Sequence, residues 1–103
     1  MNGKELAQQV IERYGTSDAF ALVERAGISL SYGRWHPVTL GEYDKKTRSI
    51  CINLNAAIDK ELIIAHELGH YFAADLPGQR SRAEEEQIAE DFAAELKAQR
   101  PSP

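Results

Sequence analysis

The chain has 103 residues, with 16 acidic and 12 basic side chains and a net charge of −4. This length suits one domain with a modest core, and an apolar content of 43% argues against general disorder. The negative charge, without a long basic cluster, argues against direct binding of nucleic acid. No segment has the apolar length of a membrane span or the pattern of a secretory signal, and there is one cysteine, Cys51. We therefore expect a cytoplasmic protein that does not associate with membranes.

The first half of the chain is predicted to form two helices and then three strands. Apolar residues at helical spacing occupy residues 6–14 and 20–26, and each run ends at a glycine. Apolar and polar residues then alternate over residues 28–32, as in a strand with one buried face. Residues 38–43 and 50–54 also have strand character, and the polar turn between them predicts a hairpin.

The second half is predicted to form two helices. Helix formers begin at about Asp59 and continue until the sequence DLPG at residues 75–78 interrupts them. Ser81, followed three residues later by Glu84, has the pattern of a capping box at the start of the last helix. Apolar residues at steps of four follow, so this helix is expected to bury one stripe of its surface.

These elements predict an α+β fold. We expect a small antiparallel sheet of about three strands packed against about four helices, within a single domain over residues 1–98. Residues 99–103 are expected to form a loose tail.

The sequence AHELGHYF, at residues 65–72, carries two histidines four residues apart with a glutamate after the first. On a helix, His66 and His70 project from nearly the same side, so that both imidazoles can reach one ion. Glu67 need not coordinate the ion and lies close enough to act as a general base. Surface histidines are the simpler interpretation for either residue alone, but the combined spacing favours a zinc site. Catalytic zinc usually has three protein ligands, so one more is needed.

The last helix offers the best candidates for this third ligand, although His36 in a loop is a further possibility. Glu85 lies in the apolar stripe, where an unpaired carboxylate is costly. Glu86 lies at the edge of that stripe, beside small alanines that permit a close approach of two helices. Glu84 is assigned to the helix cap. Periodicity therefore favours Glu86 over Glu85 but leaves both open.

Three segments, in this order along the chain, resemble the ImmA/IrrE-type metallopeptidase family. They are ICIN at residues 50–53, AHELGH at residues 65–70 and EQIAEDFA at residues 86–93. The resemblance extends over residues 27–96 and covers the catalytic core of the family. It implies a zincin-like fold in which the HELGH segment lies on the active-site helix.

The resemblance also implies a function and a set of site residues. It implies one zinc ion bound by His66, His70 and Glu86, with Glu67 as the catalytic base of peptide hydrolysis. The best-known members of the family cleave helix-turn-helix repressors, so we expect a protein substrate of that type and a selective enzyme that can depend on an activating partner.

Substrate binding and stabilisation of the oxyanion need further residues. If the last strand lies at the sheet edge, Ile50, Ile52 and Asn53 are expected to bind an extended peptide through that strand. A further donor to the oxyanion is expected in such sites, and the sequence does not rank the candidates. These candidates are Tyr71, Tyr43, Tyr32 and His36.

A second hypothesis is a binding module of the same fold that is non-catalytic or needs an activator. In that case the zinc would be structural, and a structural zinc prefers a fourth protein ligand and needs no adjacent base. The presence of Glu67 in the HELGH segment therefore favours the enzyme.

Overall fold

The computed structural model describes residues 1–100, and residues 101–103 lie outside the described part. It has the expected α+β class, with four helices and a sheet of three strands. No helix among the described residues has the length and the apolar character needed to cross a membrane. The elements in chain order are α1 (Gly3–Tyr14), α2 (Ala19–Arg25), β1 (Ser29–Gly33), β2 (Gly41–Asp44), β3 (Ser49–Asn53), α3 (Lys60–Ala73) and α4 (Arg82–Ala98).

Polar side chains cap the helices where the sequence predicts that they begin. Asp18 caps α2, and at α3 the carboxylate of Asp59 accepts a hydrogen bond from the backbone N–H of Glu61. At α4, Ser81 and Glu84 form the predicted capping box. These caps satisfy N–H groups that have no partner within their own helix, and they fix the residues at which α3 and α4 start.

The sheet is mixed, so the prediction of an antiparallel sheet is wrong. The strand order is β1-β3-β2, in which β2 runs antiparallel to β3 and β1 runs parallel to it. The predicted hairpin of β2 and β3 is therefore confirmed. Its second strand, β3, lies between β1 and β2 and is the central strand of the sheet. Alternation of apolar residues predicts that a segment is a strand and does not specify its neighbours.

Helices α3 and α4 pack closely, and this packing determines where the polar residues of the two helices meet. A Cβ atom added to Gly69 of α3 would lie 2.8 Å from the Cα of Ala89 in α4. The predicted apolar stripe of α4 is buried, with Phe92 fully enclosed and its ring stacked on Phe72 of α3. Because small residues stand at the crossing, the first turns of α4 run alongside the middle of α3.

The end of α4 is held to the rest of the domain by contacts that the expected loose tail would lack. The Gln99 amide donates to the Glu95 carboxylate at 2.9 Å, and the Gln99 carbonyl accepts from the Ser17 hydroxyl at 3.2 Å. Arg100 pairs with Glu61 at 2.6 Å. Gln99 and Arg100 of the expected tail thus contact the domain, and the last three residues of that tail lie outside the described part.

Candidate metal centre

Two neighbouring helices bring His66, His70 and Glu86 together. The distance from Nε2 of His66 to one Glu86 oxygen is 3.2 Å, and the distance from Nε2 of His70 to the other is 2.9 Å. One ligand atom from each of the three residues can be chosen so that all lie within 4.8 Å of one another. Helix α3 supplies the two imidazoles one turn apart, and the second turn of α4 supplies the carboxylate.

This donor set fits a divalent metal ion of the zinc type. Two imidazole nitrogens and one carboxylate oxygen are a common set of protein ligands at catalytic zinc, with bonds of about 2.0–2.2 Å. Ligand atoms around a tetrahedral ion are then separated by about 3.3 Å, close to the nitrogen–oxygen distances found here. Burial lowers the pKa of His70, against the opposing charge of Glu86, and so favours the neutral imidazole that binds metals.

The structure distinguishes between the candidate third ligands. Glu86 contacts both imidazoles, whereas Glu85 is not among the three clustered residues. The Glu84 side chain takes part in the capping box, where it accepts a hydrogen bond from the backbone N–H of Ser81. His36 lies in the loop before β2, where its Nδ1 accepts a hydrogen bond from the backbone of Val38 at 3.3 Å. The geometry therefore agrees with the residue that periodicity favoured.

Glu67 is buried beside this cluster, with 5% of its surface exposed. The backbone of β2 covers it, since a Cβ atom added to Gly41 would lie 3.2 Å from its Cγ. Burial, followed by the charges of Glu86 and Glu42, raises the pKa of Glu67 to about 7. A carboxyl group with this pKa can accept and release a proton near neutral pH, as a general base must.

An open cleft of about 650 Å³ gives access to the cluster. Helix α3 contributes His66, Glu67 and His70 to its lining. The other lining residues come from two segments, the chain through β2 and the first turns of α4. The first segment contributes Val38, Thr39, Leu40, Gly41, Glu42 and Tyr43, and the second contributes Arg82, Glu85, Glu86 and Glu90.

Of the candidate oxyanion donors, Tyr43 lies in this cleft. Its ring stacks on the imidazole of His70, with centroids 5.8 Å apart and planes 3° from parallel. Tyr71 is 5% exposed and packs beneath the ammonium group of Lys45. Tyr71, Tyr32 and His36 are absent from the cleft lining. The structure therefore brings one of the four candidates to the candidate metal centre.

The three residues of β3 that were expected to bind substrate lie in the interior of the domain. Ile50 and Ile52 are fully buried in the core, and Asn53 is 1% exposed. The expectation depended on an edge position for this strand, and it fails because β3 is the central strand. The cleft is instead lined by the edge strand β2, which sequence reasoning passed over for this role.

The open edge of β2 follows from its register with β3. The Asn53 N–H donates to the Leu40 carbonyl at 3.0 Å, and Gly41 is paired with Ile52. In an antiparallel pair, residues whose backbone groups bond the partner strand alternate with residues whose groups face the other way. The backbone groups of Gly41 and Tyr43 therefore face away from β3, at the edge that borders the cleft.

A two-histidine helix with an intervening carboxyl group and a glutamate from the next helix defines a metallopeptidase-like domain. The family model described as the IrrE N-terminal-like domain, Peptidase_M78, matches residues 12–98. The match covers most of the chain, and the chain belongs to this family. Neither the comparison with curated proteins nor the comparison with solved structures found a match.

Proposed function

We propose that this chain is a zinc-dependent endopeptidase that hydrolyses peptide bonds in a protein substrate. The observation that carries the proposal is the buried Glu67, with a pKa of about 7, beside the cluster of His66, His70 and Glu86. Both features border one open cleft. Membership of a metallopeptidase family supports the same conclusion.

Each polar residue of the cluster has a part in the proposed hydrolysis. Zinc held by His66, His70 and Glu86 would supply Lewis acidity, which lowers the pKa of water and polarises a carbonyl group. Glu67 accepts a proton from the attacking water, whose oxygen bonds to the carbonyl carbon. The C–N bond then breaks, and Glu67 returns the proton to the leaving nitrogen.

Tyr43 is the proposed donor to the oxyanion. Burial, followed by the charges of Glu85 and Glu67, raises the pKa of its hydroxyl. The hydroxyl therefore stays protonated at neutral pH and can donate a hydrogen bond to a developing negative charge. Its stacking on His70 supports this assignment, because it keeps the ring next to a proposed metal ligand.

The substrate is proposed to bind as an extended segment along β2. The backbone groups of Gly41 and Tyr43 are available at the open edge, and an added strand would satisfy them with main-chain hydrogen bonds. This mode requires an extended or locally unfolded segment in the target. The resemblance to ImmA/IrrE-type enzymes supports a helix-turn-helix repressor as that target, together with a requirement for an activating partner.

The alternative function, a non-catalytic binding module, predicts a different response to one substitution. In the enzyme, Glu67→Gln preserves size and helix propensity but removes the basic carboxylate. We expect this variant to fold and retain zinc. With a candidate repressor from the same genomic neighbourhood as substrate, it should cleave at least about 10²-fold more slowly than the wild type. The matched control is Glu90→Gln, an exposed carboxylate in the same cleft wall. Cleavage at the wild-type rate by Glu67→Gln would refute the peptidase and leave the binding module.

A further inference from the structure

Asn53, at the end of β3, is the most extensively hydrogen-bonded buried side chain near the cleft. Its amide nitrogen donates to the carbonyl of Thr39 at 2.6 Å and to the carbonyl of His36 at 3.0 Å. Its carbonyl oxygen accepts from the N–H of Trp35 at 3.2 Å and from the N–H of Asn55 at 3.0 Å. With 1% of its surface exposed, this amide has little access to water.

These bonds join Asn53 to the loop that connects β1 with β2. The loop forms no strand or helix, so its backbone carbonyls need partners from outside it. Asn53 supplies both a donor and an acceptor to the loop, which few side chains can do at one position. The Asn55 amide adds one bond, to the Trp35 carbonyl, and strand pairing with β3 begins only at the Leu40 carbonyl. The conformation of residues 35–39 therefore depends mainly on the Asn53 side chain.

The same loop forms the part of the cleft wall that precedes β2. Val38, Thr39 and Leu40 line the cleft, and Val38 is 79% exposed. An apolar side chain left this exposed retains most of its capacity to bury area against a ligand. The wall contributed by α4 is charged, with Arg82 and Glu85 among its lining residues. Val38 is thus an exposed apolar side chain in a cleft whose other lining residues are mostly polar.

We infer that Asn53 is a positioning residue that holds the loop of residues 35–40 as one wall of a substrate subsite, and that Val38 selects an apolar substrate side chain there. The inference rests on the proposed function, because it assumes that a peptide lies along β2. Asn53 acts through the loop and does not touch the substrate. Val38 contacts the substrate and determines its specificity.

Two hydroxamate probes test the subsite without knowledge of the natural substrate. One is a tripeptide hydroxamate with leucine next to the metal-binding group, and the other has glycine in its place. We expect zinc-loaded wild-type protein to bind the leucine compound about tenfold more tightly, since burying part of an apolar side chain gives an effect of that size. In Val38→Ser and Asn53→Asp, this ratio should fall to about one.

Controls separate the subsite from general damage. Asn53→Asp replaces the donor with a carboxylate facing two carbonyls. Gln79→Glu makes the same change from amide to carboxylate at an exposed position between α3 and α4, and it should keep the leucine preference. Val38→Ser changes an exposed side chain and should fold normally. Binding of acetohydroxamate, which carries only the metal-binding group, should be equal in all four proteins.

Hydrogen exchange gives a second measurement that needs no ligand. The backbone amides of Trp35, Val38 and Thr39 donate hydrogen bonds to Asn53 or within the loop. They should exchange at least about tenfold faster in Asn53→Asp, while those in the middle of α3 and α4 keep their protection. Unchanged protection in the loop would overturn the positioning role. An equal affinity of wild-type protein for both tripeptides would overturn the subsite while leaving the peptidase intact. The converse outcome is also possible to recognise. If Val38→Ser removes the leucine preference but Glu67→Gln leaves hydrolysis unchanged, the subsite is supported and the peptidase is refuted.

Discussion

Replacing Gly69 with alanine tests whether the close crossing of α3 and α4 sets the geometry of the metal centre. The added Cβ would lie 2.8 Å from the Ala89 Cα and 3.1 Å from both the Ala89 carbonyl oxygen and the Phe92 Cβ. Two of these three neighbours are backbone atoms of α4, which cannot rotate away as a flexible side chain can. The substitution must therefore move one helix relative to the other.

The size of this movement follows from the contact distances. Ordinary contact begins at 3.4 Å, so the 2.8 Å approach must open by about 0.6 Å. Glu86 lies one helical turn before Ala89 and moves with it, whereas the histidines stay on α3. Metal–ligand distances tolerate about 0.2 Å, and we expect zinc affinity to fall about 10–100-fold. The metal-free protein should lose only about 0–2 kcal/mol, since overpacking costs about 1–3 kcal/mol and alanine stabilises a helix by about 1 kcal/mol over glycine.

Gly3→Ala is the matched control for this experiment. Gly3 also packs tightly on α4, where an added Cβ would collide with the Ile88 carbonyl oxygen, but α1 supplies no proposed ligand. Urea denaturation of the metal-free proteins measures stability, and competition with a chromophoric chelator measures zinc affinity. Both variants should be destabilised, and Gly69→Ala alone should lose zinc affinity. Wild-type zinc affinity in Gly69→Ala would refute the proposed link between helix spacing and the site.

Two further predictions concern the ligands and the buried carboxyl group. Wild-type protein and Glu85→Ala should retain one zinc per chain after dialysis. Most of the zinc should be lost in three variants, which are His66→Ala, His70→Ala and Glu86→Ala. The reverse result for the two glutamates would show that Glu85 is the ligand. In metal-free protein, the folded-state pKa of Glu67 is raised from 4.5 to about 7, so its protonated form favours folding below pH 4.5 and this advantage is lost as the pH rises through 7. Relative to the wild type, Glu67→Gln should therefore gain up to about 3 kcal/mol between pH 4.5 and pH 8 in urea denaturation, and a difference independent of pH would contradict the raised pKa.

The helices and the proposed ligands could be predicted from the sequence because their signals are local. Asp59 and Ser81 mark helix starts by hydrogen bonds to N–H groups two or three residues away. The spacing of His66 and His70 specifies a shared face within one turn. Even the preference for Glu86 used the position of one residue relative to its own helix stripe, without knowledge of the partner helix.

The sheet order and the cleft wall could not be predicted because they depend on contacts distant in sequence. Which strand lies at the edge is decided by the pairing of β1 with β3, and the alternation in each strand is the same for either order. The hydrogen bonds from Asn53 to the loop before β2 were missed for a related reason. An asparagine at the end of a strand suggests a local turn, which its bond to Asn55 supplies, whereas its bonds to residues 35–39 span 14 to 18 positions.

Two glycines permit close backbone approaches to α3, one by β2 beside Glu67 and one by α4 next to the proposed ligands. Gly41 lets the backbone of β2 come close to Glu67, and a side chain there would meet its Cγ at 3.2 Å and the Cys51 carbonyl oxygen at 2.8 Å. Gly69 lets α4 approach from another direction. The close approach of β2 contributes to the burial of Glu67, and this burial is the largest cause of its raised pKa. The glycine within HELGH and the glycine that opens β2 thus contribute to the proposed chemistry through packing alone.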